Sequence, residues 1–154
     1  MLKPQTLSRL SLTVLCVAVF SCASKPQIDI VKPDMALVQV AGAGDVGFRS
    51  GAIDIQFALQ VQNRSDVPIT LRTVTLSSLG TGGAYRIISE EDRFAHTLQP
   101  RQAGQVTFWS RAVATSDRLE GTEPVRLRLV AYFESPKGQF TQILTQELGQ
   151  FLNR

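Results

Sequence analysis

Apolar and polar residues alternate with a period of two over Ile53-Asp54-Ile55-Gln56-Phe57-Ala58-Leu59-Gln60-Val61-Gln62. Ile53, Ile55, Phe57, Leu59 and Val61 share one face, and Asp54, Gln56, Gln60 and Gln62 share the other. That pattern is a strand with one side on a core and one in water, whereas a helix would scatter the five apolar residues around its axis. Val125 to Phe133 alternates in the same way, with Arg126 and Arg128 on the polar side. Glu134-Ser135-Pro136-Lys137-Gly138 then supplies a tight reversal, after which Gln139 to Gln146 returns as the second arm of a hairpin.

Between these segments the pattern predicts further short strands. Asn63-Arg64-Ser65-Asp66 breaks the first run with side chains that bond their own backbone and open turns. Pro68 to Leu79 follows, and the apolar parity shifts between Leu71 and Val74, as a bulge or a change of sheet produces. Gly80 to Gly83 forms a turn, and Tyr85 to Ile88 and Phe94 to Leu98 are short strands separated by the acidic Glu90-Glu91-Asp92. After a turn over Gln99 to Gly104, a strand begins at Val106. Ile28 to Val40 is a first strand interrupted by Pro33, which belongs at an edge or a kink. Ala114 to Pro124 reads as a polar loop, and only Glu147 to Asn153 has room for a helical turn. Seven or eight strands joined by turns predict an all-β fold, an immunoglobulin/fibronectin-like antiparallel β-sandwich.

The first 21 residues do not fit that pattern. Lys3 and Arg9 precede an apolar run from Leu10 to Phe20, 11 residues long, against about 20 for a spanning helix. A short apolar core behind a positive start reads as an export signal. Val19-Phe20-Ser21-Cys22 resembles the lipobox of bacterial lipoproteins, in which a small residue precedes the cysteine whose thiol accepts a diacylglycerol. Phe20 stands where that box usually has a small residue. The resemblance implies a signal peptide over 1–21, lipidation at Cys22, a polar tether over 22–27, and a sandwich domain over 28–154. With Cys22 acylated and Cys16 removed, the mature chain holds no disulfide, and its partner is a membrane through the anchor. The absence of Asp after Cys22 implies the outer membrane, facing the periplasm, in a cell with two membranes.

Removing that signal also changes the charge. The whole chain carries 16 basic and 13 acidic residues, a net charge of +3. Lys3 and Arg9 leave with the signal, so the remainder is within about one charge of neutral, and nucleic-acid binding loses its electrostatic support.

The strand order carries a second resemblance. Lys32-Pro33-Asp34 with Val38, Phe57 to Asn63 running into a turn, Val67-Pro68-Ile69, Leu98-Gln99-Pro100 before Val106, and the closing Tyr132-Phe133 hairpin with Gly138 resemble the late-embryogenesis-abundant group 2 (WHy, water stress and hypersensitive response) domain over about residues 32–146. That family's Asn-Pro-Asn turn stands here as Asn63-Arg64-Ser65. The resemblance implies a noncatalytic β-sandwich associated with desiccation or envelope-stress protection.

No residue cluster predicts catalysis, a metal, a cofactor or a small-molecule substrate. Gly42-Ala43-Gly44-Asp45-Val46-Gly47 lacks the Lys-Ser/Thr of a phosphate loop. Glu90-Glu91-Asp92 offers oxygen ligands, but neighbours in a strand point to opposite faces, so a solvated turn is the expectation. His96 has Ser and Asp residues elsewhere in the chain, but nothing in the sequence places them beside it as a triad requires. Asn63-Arg64-Ser65 matches a glycosylation pattern but reads as a turn. Two contact candidates remain. Phe108 and Trp109 must face opposite ways, so one lies in the core, and an exposed Trp109 beside Arg111 would meet a partner. Arg126 and Arg128 share a face, with Arg72 or Arg86 as neighbours. The chain thus reads as a noncatalytic envelope lipoprotein, with an adaptor that binds another envelope protein as the alternative.

Overall fold

The computed structural model describes residues 31–41, 52–115 and 124–149. Cys22, the export signal, the tether and the glycine-rich run at 42–47 lie outside the described residues. Eight strands form two four-stranded sheets in which every hydrogen-bonded pair is antiparallel. They are β1 (Asp34–Ala41), β2 (Ala52–Gln62), β3 (Ile69–Ser78), β4 (Tyr85–Ile87), β5 (Glu90–Leu98), β6 (Ala103–Ala114), β7 (Val125–Ser135) and β8 (Gly138–Leu148). Sheet A runs β1-β2-β6-β4 and sheet B runs β5-β3-β7-β8. The β-sandwich expected from the alternation is the fold observed.

The core is the set of residues that the period-two pattern places inward. Ile55, Phe57, Leu59 and Val61 of β2 are buried and meet Leu71, Val74, Leu76, Leu127, Leu129 and Phe133 from sheet B. Burying each such side chain contributes about 1.5–3 kcal/mol. Phe57 and Phe108 pack with ring centroids 6.0 Å apart, and Phe94 meets Phe108 edge-on at 6.2 Å. The hydroxyl of buried Tyr85 donates to Gln39 Oε1 at 2.7 Å, so a side chain on one edge strand of sheet A reaches the other edge strand beneath the two central ones. Burial raises the Tyr85 pKa above its ordinary value.

The expected parity shift in the third segment is a bulge: β3 changes register between Leu71 and Thr73 against both of its neighbours. Pro33 directly precedes β1, an edge strand, rather than interrupting a longer one. Glu90-Glu91-Asp92 corrects the sequence reading, because it is the start of β5 and not a turn. It pairs with Leu76, Thr75 and Val74, and alternation turns Asp92 partly inward while Glu91 faces water. Burial, then the nearby Glu90 carboxylate, raise the Asp92 pKa. The second correction is at the C-terminal end: Glu147 and Leu148 belong to β8, where Glu147 pairs with Arg126, so no helical turn begins there.

Asn63 joins the two ends of the chain's turns. Its side chain is fully buried, donating through Nδ2 to the carbonyls of Val67 (2.8 Å), Leu98 (3.2 Å) and Gln99 (3.0 Å). Its Oδ1 accepts from the backbone N–H of Ser65 at 2.9 Å and from the Ser65 hydroxyl at 2.7 Å. The β2–β3 turn and the β5–β6 turn are therefore tied through one amide. Burial also removes Asn63 from any glycosylation role.

The seam between edge strands β1 and β8 is closed by glutamines at core-facing positions of β8. Leu37 N–H donates to Gln146 Oε1 at 3.0 Å, and Gln146 Nε2 donates back to Leu37 C=O at 2.6 Å. Four residues earlier, Gln142 Nε2 donates to Pro33 C=O at 2.7 Å. Proline has no N–H to return, and Gln142 Oε1 is buried without a partner.

Candidate functional site

The outer face of sheet A is built from residues that antiparallel register brings side by side. Asp34, Gln62 and Ala103 form one row across β1, β2 and β6. Ala36, Gln60 and Gln105 form the next, then Val38, Ala58 and Thr107. Gln56 stands opposite Trp109, and beyond it Asp54 stands opposite Arg111. These rows mix residues 34–40, 54–62 and 103–111, which only the fold juxtaposes.

Trp109 is 53% exposed while its neighbour Phe108 is 4% exposed in the core. The expectation that the two aromatics divide between core and surface holds, with tryptophan outside. Exposed Val38 and Val40 lie on the same face, and Val113 continues it along β6.

Charge bounds this surface at both ends. Arg64 Nε donates to Asp34 Oδ2 at 2.6 Å beside the first row, and Arg111 Nε lies 3.6 Å from Asp54 Oδ1 beyond Trp109. Between the two ion pairs the outward side chains of β1, β2 and β6 are uncharged. At the Asp34 end of that window an open trough of about 490 Å³ is lined by Asp34, Ala36, Gln60, Gln62, Ala103 and Gln105, and Trp109 lies outside it. Among the described residues, no hydrogen bond engages the side chains of Gln56, Gln60, Gln62 or Gln105.

The other sequence candidates lie elsewhere. Arg126 and Arg128 share the outer face of sheet B, so Trp109 and the two arginines are on opposite sides of the sandwich. Arg126 Nε is 2.7 Å from Glu147 Oε1, and no ion pair engages Arg128 among the described residues. Arg72 is on that same sheet, 2.7 Å from Glu134, whereas Arg86 sits on β4 of sheet A. His96 is half-buried on the inner side of β5, and it and Leu98 fill the space that a side chain at Gly104 would need. Among the described residues, no three His, Cys, Asp or Glu side chains are placed to hold a metal. Cys22 lies outside the described residues.

The glutamine strip escaped the sequence reading. Its signal was present in β2, where Gln56, Gln60 and Gln62 occupy polar positions that surface strands commonly give to charged residues. The contributions of β1 and β6 became visible only once register was known.

No known protein family matches the chain, and no curated protein matches it either. It is similar in structure to the Northeast Structural Genomics Consortium target SoR45, with a TM-score of 0.50 and 14% identity over 80% of this chain and 89% of that one. A protein from Archaeoglobus fulgidus aligns with a TM-score of 0.45 and 14% identity over 77% of this chain and 97% of that one. The likeness to SoR45 bears on the fold alone.

Proposed function

We propose that this chain is a noncatalytic, lipid-anchored β-sandwich of the bacterial envelope that works by holding an envelope component against the outer face of sheet A. The observation that carries the reading is Trp109, half exposed in the last row of an uncharged window, next to the Arg111–Asp54 pair. A tryptophan so placed offers a large, rigid contact surface with little conformational entropy to lose. The lipobox-like Val19-Phe20-Ser21-Cys22 supports the anchor. From Cys22 an extended chain reaches at most about 40 Å to the start of β1, which is itself a strand of the sheet that carries the window. The position of His96, packed against Gly104 and Leu98, supports a binding role over a hydrolytic one. A desiccation or envelope-stress setting rests on the WHy resemblance, and survival of a deletion strain after drying tests it.

The contact itself is tested in living cells with a photo-crosslinking residue at Thr107, beside Trp109, and at Thr145 on sheet B as the control. Adducts from position 107 that disappear with Trp109→Ala, and none from 145, are expected. Equal labelling from both positions, or none from 107, overturns the reading. The intact mass of the membrane-extracted protein checks the anchor separately: residues 22–154 plus acyl chains is the expected result.

A further inference from the structure

We propose that the window on sheet A binds an uncharged glycan strand, an inference that rests on sheet A being the contact face. The side chains in question are Gln56, Gln60, Gln62, Gln105, Thr107 and Trp109, all outward on β2 and β6 and aligned by register. Gln62 and Gln56 are six residues apart, so the strip runs about 20 Å along the strands, the length of an oligosaccharide of about four units.

The chemistry selects the ligand in three ways. Each primary amide both donates and accepts, as a sugar hydroxyl or acetamido group does, so four amides match a ligand rich in groups of mixed polarity. The indole of Trp109 presents a face with negative π density, which attracts the weakly positive C–H bonds of a pyranose ring. The ion pairs Arg64–Asp34 and Arg111–Asp54 stand at the ends of the strip and leave its length free of charge, which fits a neutral ligand and gives nothing for phosphate or carboxylate to pair with.

The use of glutamine elsewhere in the molecule sharpens the point. Gln39, Gln102, Gln142 and Gln146 are each held by an internal hydrogen bond, to the Tyr85 hydroxyl, the Gln99 N–H, the Pro33 carbonyl and the Leu37 backbone. The outer-face set makes no such bond among the described residues, and neither do Gln99 and Gln139, which stand singly at or beside turns instead of in a row across a sheet. A bilayer is a poorer occupant, because pressing four amides into hydrocarbon without partners costs several kcal/mol. The trough of about 490 Å³ falls within the size range of sites for small ligands and holds Gln60, Gln62 and Gln105 at one end of the strip.

Trp109 is the chain's sole tryptophan, so its fluorescence reports on this face alone. The full mature protein, extracted from membranes into neutral detergent, is titrated with chitotetraose, with cellotetraose, and with phosphatidylethanolamine–phosphatidylglycerol vesicles. A saturable change in emission with a tetrasaccharide is expected. Chitotetraose alone points to an acetamido-bearing wall glycan, and a response to cellotetraose as well points to a hydroxyl-only polysaccharide.

The Gln60→Ala, Gln105→Ala double variant is expected to weaken binding about tenfold, and Trp109→Ala, followed by calorimetry, by about tenfold or more. Tyr132→Ala on sheet B is expected to leave it unchanged. No response to either sugar up to about 10 mM, a response indifferent to the glutamines, or a response to vesicles only overturns the inference. Crosslinking from Thr107 together with silence toward the sugars would discard the glycan while keeping the contact face. Loss of both would discard the face itself.

Discussion

The two outer faces of the sandwich solve the problem of being wet in different ways. Sheet B closes most of its charged side chains on one another: Arg72 meets Glu134, Arg126 meets Glu147, Arg93 meets Glu91, and the hydroxyls of Thr70 and Thr97 lie 2.9 Å apart, while Arg128 has no ion pair among the described residues. Sheet A keeps its ion pairs at the margins and leaves a tryptophan and four amides between them. Cross-strand pairs that close on each other gain little from a ligand, whereas unengaged amides beside an aromatic face have hydrogen bonds still to make. Exposed apolar residues alone do not separate the faces, because Tyr132 and Ile143 on sheet B are about as exposed as Trp109. What distinguishes sheet A is that the amides between its two marginal ion pairs have no partner among the described residues.

The comparison depends first on the sheets being locked in place, and Asn63 is where that is tested hardest. Asn63→Ala removes both donors and the acceptor of a fully buried amide, leaving the Ser65 N–H without its partner. It takes one bond each from the carbonyls of Val67, Leu98 and Gln99, of which Val67 and Gln99 keep the Ser65 hydroxyl and the Gln102 N–H. The expected loss is about 3 kcal/mol or more in chemical denaturation, with both faces failing in one transition. A loss below about 1 kcal/mol would mean that water replaces the amide and that the two turns are not mechanically joined.

Next in size is the seam that closes the β1 edge of sheet A against β8. Gln146→Leu leaves the Leu37 N–H and C=O without their partner, at an expected cost of about 2 kcal/mol. Gln142→Leu also frees a carbonyl, that of Pro33, but it removes an amide oxygen that is already buried and unpaired. It should cost about 1 kcal/mol less than the Gln146 change. Equal losses in paired denaturation curves would show that the missing proline N–H is not what separates the two sites.

Much of this architecture was readable beforehand. Strict alternation located β2 and β7, the reversal at Glu134 to Gly138 located β8, the shifted parity at Leu71 to Val74 located the bulge, and the adjacency of Phe108 and Trp109 required one of them to be outside. Other features were hidden for physical reasons. Glu90-Glu91-Asp92 looks like a turn because its strand is an edge, where Glu91 is solvated and Glu90 Oε2 accepts from the Arg111 N–H. Gln142 and Gln146 sit in the apolar parity of β8, and their purpose is legible only when β1 is known to lie beside them. Asn63 announced a turn of its own, but its bonds to Leu98 and Gln99 span more than thirty residues. The window on sheet A is hidden most deeply, since it is a property of three strands and of none singly.

A smaller effect concerns the inner side of sheet B. The Asp92 pKa is raised in the folded protein, chiefly by burial and then by Glu90. A raised carboxyl favours the protonated folded state, so its contribution is most favourable below the unfolded pKa of about 3.9 and is lost as pH rises through the folded value. Asp92→Asn should therefore raise the melting temperature at neutral pH, with the gain shrinking toward zero in acid. A gain that persists unchanged below the ordinary carboxylate range would assign the effect to side-chain shape instead of charge.

The smallest stability effects are the ones that sharpen the contrast most. Arg126→Ala removes an exposed ion pair, and such pairs contribute about 0–1 kcal/mol. Trp109→Ala deletes a half-exposed side chain on an outer face, where substitutions usually fall within about 0.5 kcal/mol. Both proteins should melt within a few degrees of the parent, since 1 kcal/mol moves a domain of this size by about 2–8 °C. Their crosslinking should nonetheless diverge: the Arg126 variant retains the Thr107 adducts and the Trp109 variant loses them. If Trp109→Ala instead destabilised the fold by about 2 kcal/mol or more, the indole would be a structural cover over Gln56 and Ala58. The difference between the two faces would then lie in packing, with no reserve of unmade contacts on sheet A.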